Sequence, residues 1–211
     1  MSFEEIPKTN LIAATGLAGR VGQGVQHATA NELTWQDLGT SLTESTALDA
    51  AIAGAEADTI VNYAAFTDVA AAWEERGDQN GECYRVNTLG AHNIAQSCKQ
   101  HGKYLIHIST DYVYSGSKPD IYTEEDATGP VEWYGQTKAL AEERVLGVDD
   151  SFAVFRISSP FKAIRHPNKD DILSKVRRQI SGGLLPPSLK ILSLRRHGSM
   201  TLLEYSQEQA Y

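Results

Sequence analysis

Short apolar runs alternate with longer stretches of helical periodicity along this chain. Four runs of four to six residues are rich in aliphatic side chains and predict buried strands at residues 11–14, 59–62, 104–108 and 152–157. Three other stretches predict helices at residues 46–53, 81–100 and 135–146. Alternating strands and helices predict an α/β fold, a doubly wound parallel sheet with helices on both faces. In such sheets ligands bind beyond the carboxyl ends of the strands, so motifs that follow strands carry the chemistry.

The alternation of apolar runs and helical stretches is less clear between Gly22 and Asp58. Residues 25–42 contain no convincing apolar strand, although a nucleotide-binding sheet needs a second strand that ends in an acidic residue. Asp37 is the nearest candidate for that acid, and an exposed aspartate in a loop is an equally good interpretation. The choice between NADP and NAD therefore stays open.

The composition bounds the class of protein. A chain of 211 residues suits one domain plus a fragment of a second, and it can bury a sizeable core. No stretch approaches the ~20 apolar residues that span a membrane, and the acidic first residues do not resemble a signal peptide. We therefore expect a cytoplasmic protein. Cys83 and Cys98 are too few for a disulfide framework or a metal-ligand set, so we expect two buried thiols and no metal.

The charge is negative overall and unevenly distributed. A formal net charge of −8 argues against general nucleic-acid binding, which needs a positive surface. Residues 1–161 hold 10 Lys and Arg against 23 Asp and Glu, whereas residues 162–211 hold 9 against 4. A basic stretch after an acidic domain suits an anionic ligand. Alternatively, the basic residues have no selected role, if the end of the chain is translated in a shifted reading frame as considered below.

A glycine-rich turn follows the first predicted strand. Residues 15–22 read Thr-Gly-Leu-Ala-Gly-Arg-Val-Gly, a Gly-x-x-Gly-x-x-Gly spacing that opens a predicted helix. Glycines permit a tight turn and let backbone N–H groups approach a pyrophosphate at a helix N-terminus. Such turns are common, but the position between a strand and a helix favours a nucleotide site.

A tyrosine and a lysine lie four residues apart in the last predicted helix region. Tyr134 and Lys138 form a Tyr-x-x-x-Lys pattern, and residues at this spacing lie on one face of a helix. A lysine ammonium beside the phenol would lower the tyrosine pKa from about 10, so that the phenol exchanges a proton with a carbonyl oxygen. Thr110 offers a hydroxyl for the same oxygen. An isolated match would indicate only a half-exposed tyrosine and a solvated lysine, but here the glycine turn and residues 62–65 lie where one cofactor would touch them all.

Together these motifs resemble those of extended short-chain dehydrogenases/reductases, and within that group those of the dTDP-4-dehydrorhamnose reductase family. The matching segments come in the family's order and cover most of residues 11–161. They are residues 15–22, 58–69, 84–87, 107–116, 124–126 and 134–138, with Ala141 and Glu142. Each segment is short, whereas the combination is specific. The resemblance implies a Rossmann-type sheet followed by a substrate lobe.

The resemblance also implies a function. It predicts reduction of the C4 keto group of a nucleotide-linked sugar, with NADPH or NADH as cofactor. It implies a nucleotide sugar as partner, no nucleic-acid or membrane partner, and a homodimer as one candidate assembly. Thr110, Tyr134 and Lys138 would be catalytic, with Tyr134 protonating the keto oxygen and Lys138 lowering the pKa of Tyr134 and holding the nicotinamide ribose. The implied cofactor contacts are Gly16, Leu17, Ala18, Gly19, Gly22, Ala64, Ala65, Phe66, Thr67, Asn87, Tyr134 and Lys138.

Two other functions stay open at this stage. A nucleotide-sugar epimerase or dehydratase shares Tyr-x-x-x-Lys but recycles its bound cofactor. Additional acid and base residues beside Thr110 would favour a dehydratase, whereas Asp111 and Tyr112 follow the reductase pattern. A regulatory subunit without catalysis, like the beta subunit of methionine adenosyltransferase, also resembles the reductases. Residues 156–161 lack the family's aromatic-rich segment, so the identity of the sugar does not carry over.

The end of the chain departs from the family. The resemblance predicts a dinucleotide-binding domain over residues 1–161 and an incomplete substrate lobe over residues 162–211. Residues 188–211 match nothing in the family, whereas a shifted frame starting within the Pro187 codon can restore the family's Thr-Pro-Thr-aromatic-aliphatic-x-Asp segment. We therefore expect residues 188–211 to be the product of a frameshift, with a divergent but genuine tail as the alternative. The genomic sequence across the Pro187 codon distinguishes the two.

Overall fold

The computed structural model describes residues 10–158 and two short strands at residues 190–194 and 200–204. The described residues fall into two compact units. The first unit holds residues 10–158 except 118–124, and the second holds residues 118–124 with the two short strands. All the candidate site residues predicted from the sequence belong to the first unit.

Five parallel strands form the sheet of the first unit. They are β1 (Leu11–Thr15), β2 (Thr34–Asp37), β3 (Thr59–Asn62), β4 (Tyr104–Thr110) and β5 (Ala153–Ile157). The strand order is β2-β1-β3-β4-β5, and each pair of neighbours is parallel. This sheet confirms the predicted doubly wound α/β fold. Four of its strands coincide with the four apolar runs, and the most continuous burial is that of β3, in which all four residues are buried.

Helices connect the successive strands. They are α1 (Arg20–Ala28), α2 (Ser45–Ala53), α3 (Val69–Glu74), α4 (Glu82–Tyr84), α5 (Gly90–Gln100) and α6 (Trp133–Val148). The helices predicted at residues 46–53 and 135–146 are confirmed as α2 and α6. The single helix predicted over residues 81–100 is interrupted, because a π-helical segment, Arg85–Leu89, separates α4 from α5. Such segments occur frequently at functional sites.

The second strand corrects the sequence prediction for residues 25–42. β2 pairs with β1 in register from Leu11 opposite Thr34 to Ala14 opposite Asp37. Its residues are Thr, Trp, Gln and Asp, and none of them is fully buried, because β2 lies at the edge of the sheet. An edge strand with polar side chains has no aliphatic run, so the periodicity failed to reveal it. Asp37 is the last residue of this strand and not part of a loop.

The largest apolar cluster fixes α6 against the sheet. Ala13, Ile60 and Leu105 are fully buried side chains from three strands, and they share the cluster with residues of three helices. The helical members are Leu48, Ile52, Ala91, Ile94, Ala95, Cys98, Ala141 and Val145. Because α6 contributes Ala141 and Val145 to this cluster, Tyr134 and Lys138 are carried on a helix held by the core.

The sheet order places a crevice between β1 and β3. From β1 the chain moves to β2 on one side, and from β3 it moves through β4 to β5 on the other side. At this reversal the connections leave the carboxyl ends of β1 and β3 in opposite directions, which is where doubly wound sheets bind ligands. The glycine turn follows β1 and residues 63–68 follow β3, so both predicted cofactor segments border this crevice.

The second unit contains one antiparallel strand pair, β6 (Lys190–Leu194) and β7 (Met200–Glu204). Its backbone register runs from Lys190 opposite Glu204 to Leu194 opposite Met200. Most of the substrate lobe predicted over residues 162–211 lies outside the described residues. None of the helices in the described part of the chain is long and apolar enough to cross a membrane.

Candidate active site

The glycine turn lies directly against the chain that leaves β3. Gly16 has a φ of 65°, in the left-handed region that favours glycine. A Cβ on Gly16 would lie 2.6 Å from the backbone N of Ala64 and 2.7 Å from its Cα, so a side chain does not fit there. A Cβ on Gly22 would likewise lie 2.6 Å from the carbonyl O of Leu17. The two segments that the sequence assigned to one cofactor therefore meet in space.

The N-terminus of α1 is open to an anionic ligand. Gly19 is the N-cap residue and makes no side-chain capping hydrogen bond, and the first turn carries no acidic residue. The backbone N of Gly19 donates to the carbonyl O of Gly16 at 2.9 Å, which closes the turn. Unsatisfied N–H groups and the positive end of the helix dipole both favour a phosphate at such a terminus.

The remaining predicted cofactor residues differ in exposure. Leu17 is buried against Ala14 and Val61, so its side chain belongs to the core. Ala18 and Thr67 are exposed, and Ala65 is half-buried. The ring of Phe66 packs in a second apolar cluster, so Phe66 borders the crevice through its backbone. The structure thus places every member of the predicted set near the carboxyl ends of β1 and β3 except Asn87 and the two residues on α6.

Asn87 lies in the π-helical segment and is almost fully buried. Its Oδ1 accepts a hydrogen bond from the backbone N of Phe66 at 2.8 Å, and its Nδ2 donates to the carbonyl O of Phe66 at 3.1 Å. The same Nδ2 lies 3.1 Å from Thr137 Oγ1 on α6. Asn87 therefore connects the segment after β3 to the helix that carries Tyr134 and Lys138.

Thr110 and Tyr134 lie side by side at the carboxyl end of β4. Thr110 is the last residue of β4, its Oγ1 accepts from the backbone N of Tyr112 at 3.2 Å, and its hydroxyl is close enough to Tyr134 to affect the pKa of the phenol. Burial raises the pKa of Tyr134 to about 12, while the hydroxyl of Thr110 lowers it. The phenol is consequently protonated at neutral pH.

The first turn of α6 is held by a carboxylate. Glu132 is the N-cap residue, and its two oxygens accept from the backbone N atoms of Tyr134 at 2.9 Å and Gly135 at 2.8 Å. A negative charge at this end of a helix is stabilising. A Cβ on Gly135 would collide with the carbonyl O of Tyr112, so the absence of a side chain lets α6 approach the turn after β4. These contacts fix the backbone beneath the phenol of Tyr134.

Lys138 is 2% exposed and contacts β4. Its Nζ donates to the carbonyl O of Ile108 at 2.7 Å and lies 3.1 Å from Nε2 of His107. Burial lowers the pKa of Lys138 to about 8, although the nearby charge of Glu142 raises it. The expectation that Lys138 lowers the pKa of Tyr134 is wrong for this form of the protein, because Tyr134 is buried and the lysine is engaged by β4.

A further polar cluster joins β5 to the end of β4 and the residues that follow it. The guanidinium of Arg156 donates to the carboxylate of Glu142 at 2.7 Å and to Tyr114 Oη at 2.7 Å. Ser158 Oγ donates to Asp111 Oδ2 at 2.6 Å, and Thr110 Oγ1 donates to Asp111 Oδ1 at 3.1 Å. Asp111 is thus fixed beside Thr110 by a residue that follows β5.

Sequence reasoning missed the partners of Lys138. His107 and Asn62 lie within two of the predicted strands, and the structure shows in addition that both are buried and hydrogen-bonded toward Lys138. A usable signal existed, because polar residues near the ends of two neighbouring apolar strands have few reasons to be buried unless they meet. The N-cap role of Glu132 had no such signal, since glutamate is not among the preferred N-cap residues.

The residues at the crevice fit a dinucleotide. The close approach of Gly16 to Ala64 forms a cradle that any side chain would fill, and the open N-terminus of α1 stands beside it. Asp37 ends β2 next to β1, the position from which a carboxylate receives a ribose hydroxyl. Within the described residues, no group of three or more His, Cys, Asp or Glu side chains could hold a metal ion.

Comparisons with known proteins point in the same direction. Residues 10–181 match the profile of a family described as the RmlD substrate binding domain. A dTDP-4-dehydrorhamnose reductase from Mycolicibacterium smegmatis is 33% identical over 174 residues, which cover 81% of this chain and 51% of that enzyme. The chain therefore spans about half the length of this relative.

Solved structures share the fold. A dTDP-4-dehydrorhamnose reductase from Yersinia enterocolitica superposes with a TM-score of 0.70 at 26% identity, covering 82% of this chain and 60% of that one. The corresponding protein from Bacillus anthracis, solved in complex with NADP, superposes with a TM-score of 0.73 at 23% identity, covering 84% of this chain and 62% of that one. The second similarity concerns the fold alone.

Proposed function

The chain belongs to the RmlD substrate binding domain family, and from this membership we propose that it reduces the 4-keto group of a nucleotide-linked sugar with NADPH or NADH. The observation that carries the proposal is that the hydroxyls of Thr110, at the end of β4, and Tyr134, on the first turn of α6, lie close together, with Lys138 one helical turn beyond. A phenol beside a second hydroxyl is suited to bind a carbonyl oxygen and to protonate it.

The protonation state of Tyr134 supports reduction. When a ketone becomes an alcohol, its carbon gains a hydride and its oxygen gains a proton. A bound nicotinamide cofactor would supply the hydride, and Tyr134 would donate its phenolic proton to the oxygen. A pKa of about 12 keeps that proton on Tyr134 at neutral pH, which is the form that a proton donor needs. Thr110 would orient the oxygen, and Lys138 would hold the ribose next to the nicotinamide.

The cofactor residues divide by role. Gly16, Gly19 and Gly22 would let the pyrophosphate approach the N-terminus of α1, with Leu17 and Ala18 completing the turn. Ala64, Ala65, Phe66 and Thr67 would line the opposite side of the crevice, and Asn87 would act by holding Phe66. Asp37 would accept a hydrogen bond from the adenine ribose.

The test follows the absorbance of the reduced cofactor. We first titrate NADPH and NADH into the purified chain, and then add dTDP-4-dehydrorhamnose. Net oxidation of the cofactor is the expected result. Conversion of the sugar without net oxidation would indicate an epimerase or dehydratase instead, and cofactor binding without conversion would indicate a regulatory protein.

Tyr134→Phe should lower kcat at least about 100-fold, because the proton donor is lost, while leaving the dissociation constant of the cofactor unchanged. The matched control is Tyr104→Phe, since Tyr104 is 40% exposed at the opposite end of β4 from Thr110. Full activity in Tyr134→Phe would contradict the assigned role.

A further inference from the structure

A row of buried polar side chains crosses the sheet and ends at Lys138. Thr15, Asn62 and His107 lie on β1, β3 and β4, and each is the register neighbour of the next. Thr15 Oγ1 donates to Asn62 Oδ1 at 2.7 Å, Asn62 Nδ2 lies 3.0 Å from His107 Nδ1, and His107 Nε2 lies 3.1 Å from Lys138 Nζ. All four side chains are at most 2% exposed. The row therefore links the glycine turn after β1 to α6 without access to water.

The direction of each hydrogen bond in this row is fixed by a backbone group. The N–H of Ala64 donates to Asn62 Oδ1 at 3.1 Å, and a backbone N–H can only donate. The oxygen of the Asn62 amide must therefore face Ala64 and Thr15, and its nitrogen must face His107. Because that nitrogen also only donates, Nδ1 of His107 accepts and carries no proton.

The tautomer of His107 determines what Lys138 can do. A neutral imidazole without a proton on Nδ1 carries it on Nε2, which then donates to Lys138 Nζ. The nitrogen of Lys138 can accept this hydrogen bond only through the lone pair of a neutral amine.

We propose that Asn62 and His107 are positioning residues that favour the neutral amine of Lys138 in the protein without cofactor, with its lone pair toward β4 and an N–H donated to Ile108. The inference rests on the proposed function only where it treats Lys138 as part of the active site.

The electrostatic surroundings of Lys138 agree with this geometry. Burial lowers the pKa of Lys138 to about 8, so the amine is neutral above that pH. Burial also holds the pKa of His107 well below its usual range, and a charge on Lys138 would lower it further. Glu142, one turn further along α6, opposes the lowering of the Lys138 pKa, but Arg156 of β5 forms an ion pair with Glu142 at 2.7 Å. The other titratable groups on elements packed against α6 near this point are Cys83, Asp111, Glu132 and Tyr134.

The first experiment needs no substitution. Nitrogen-15 NMR of the histidine rings in the full chain, at pH 9 and without cofactor, distinguishes a protonated ring nitrogen from an unprotonated one at a pH above the pKa of Lys138. We expect His107 to carry its proton on Nε2 and to leave Nδ1 unprotonated. A proton on Nδ1 with Nε2 unprotonated, or a proton on both nitrogens, would overturn the proposal.

The second experiment uses a nearly isosteric substitution of Asn62 to reverse the direction of the hydrogen bonds from residue 62 through His107 to Lys138. In Asn62→Asp the side chain accepts on both oxygens, so Nδ1 of His107 should become the protonated nitrogen and Nε2 should accept from a Lys138 ammonium. The pKa of Lys138, followed by NMR of its side-chain nitrogen, should then rise by at least about one pH unit. Asn93→Asp is the control, because Asn93 on α5 donates to Leu42 and has no link to the row. An equal rise in both variants, or no change of tautomer in Asn62→Asp, would sink the proposal.

These readouts are independent of the proposed function. Neither the tautomer of His107 nor the pKa of Lys138 requires cofactor, substrate or turnover. A chain with the expected tautomer that does not reduce the keto sugar would contradict the reductase alone. A chain that reduces the sugar with the opposite tautomer would contradict the role of Asn62 and His107 alone.

Discussion

Tyr134 and Lys138 lie on the first turns of α6, and the pKa of Tyr134 is raised whereas that of Lys138 is lowered. Both shifts have the same cause. Burial favours the neutral phenol of Tyr134 and the neutral amine of Lys138, because an ion loses its hydration when it leaves water. Tyr134 is therefore neutral at pH 7, whereas Lys138 becomes a neutral amine only above its pKa of about 8. Binding of an anionic dinucleotide would change this balance by bringing negative charge to the site.

The buried Lys138 should make stability depend on pH in the alkaline range. The pKa of Lys138 is about 8 in the folded chain and 10.5 in its ordinary state, so between these values the unfolded chain binds more protons. The free energy of unfolding should consequently rise with pH over this window, by about 3 kcal/mol in total. Urea unfolding of the wild type and of Lys138→Met at several pH values from 7 to 10.5 measures the effect.

The quantity to follow is the difference in unfolding free energy between the wild type and Lys138→Met at each pH. Tyr134 and Cys98 have raised pKa values and destabilise the fold in the same alkaline range, but they are present in both proteins and cancel. The wild type should gain stability relative to Lys138→Met as the pH rises through 8. A difference that stays constant or falls would mean that Lys138 is charged in the folded chain.

The position of the start of α6 depends on the absence of a side chain at Gly135. A Cβ on Gly135 would meet the carbonyl O of Tyr112 and lie 2.9 Å from Oε1 of Glu132. Gly135→Ala should therefore push α6 away from β4, lower the free energy of unfolding by about 1–3 kcal/mol and lower kcat by moving Tyr134 from Thr110. Chemical unfolding and steady-state kinetics measure both effects.

Gly147 provides the matched control within the same helix. A Cβ on Gly147 meets nothing within 4 Å, so Gly147→Ala should stabilise the chain by about 0.5–1 kcal/mol through helix propensity. If both alanine variants had the same stability, the close contact at Gly135 would not constrain the helix.

The glycine turn allows backbone strain to be separated from steric contact. Gly16 and Gly39 both have positive φ values, 65° and 59°, but only Gly16 lies against another segment of backbone. Gly39→Ala should lose about 1–2 kcal/mol from the left-handed conformation alone. Gly16→Ala should lose more and should also weaken cofactor binding, because its Cβ would displace Ala64. Unfolding free energies and cofactor dissociation constants of both variants provide the comparison, and equal losses would contradict the close approach.

The elements that could be predicted are those whose residues are mostly apolar. β1, β3, β4 and β5 read as apolar runs, including β5 at an edge of the sheet, and α2 and α6 are long enough to show helical spacing. β2 escaped prediction because three of its four residues are polar. The π-helical segment Arg85–Leu89 was equally invisible, since one extra residue in a turn leaves the surrounding periodicity almost unchanged.

The predictability of the site depends on how far apart in the chain its members lie. The Tyr-x-x-x-Lys spacing is local, so the shared helix of Tyr134 and Lys138 could be predicted from four residues. The contact of Lys138 with His107 spans 31 positions and that of Asn62 with His107 spans 45, and no local pattern encodes them. The sign of the Tyr134 pKa shift failed for the same reason, because burial is a property of the assembled fold.

Across the whole first unit, the reversal of strand order concentrates the chemistry at one edge of the sheet. Chain segments after β1, β3 and β4 all end at the carboxyl edge, which brings residues separated by more than a hundred positions to a common border. The chain spans about half the length of the Mycolicibacterium relative, and this half contains the glycine turn, Thr110, Tyr134 and Lys138.

The amide of Asn87 has a consequence for the cost of binding. It satisfies both the N–H and the C=O of Phe66, as a neighbouring strand would, in a segment that has no regular structure of its own. The π-helical segment that carries Asn87 thus orders the segment around Phe66 before any ligand binds. The entropy cost of ordering that segment is therefore part of the free energy of folding and does not reduce the free energy of binding. A cofactor bound in the crevice as proposed would therefore contact a segment that is already ordered.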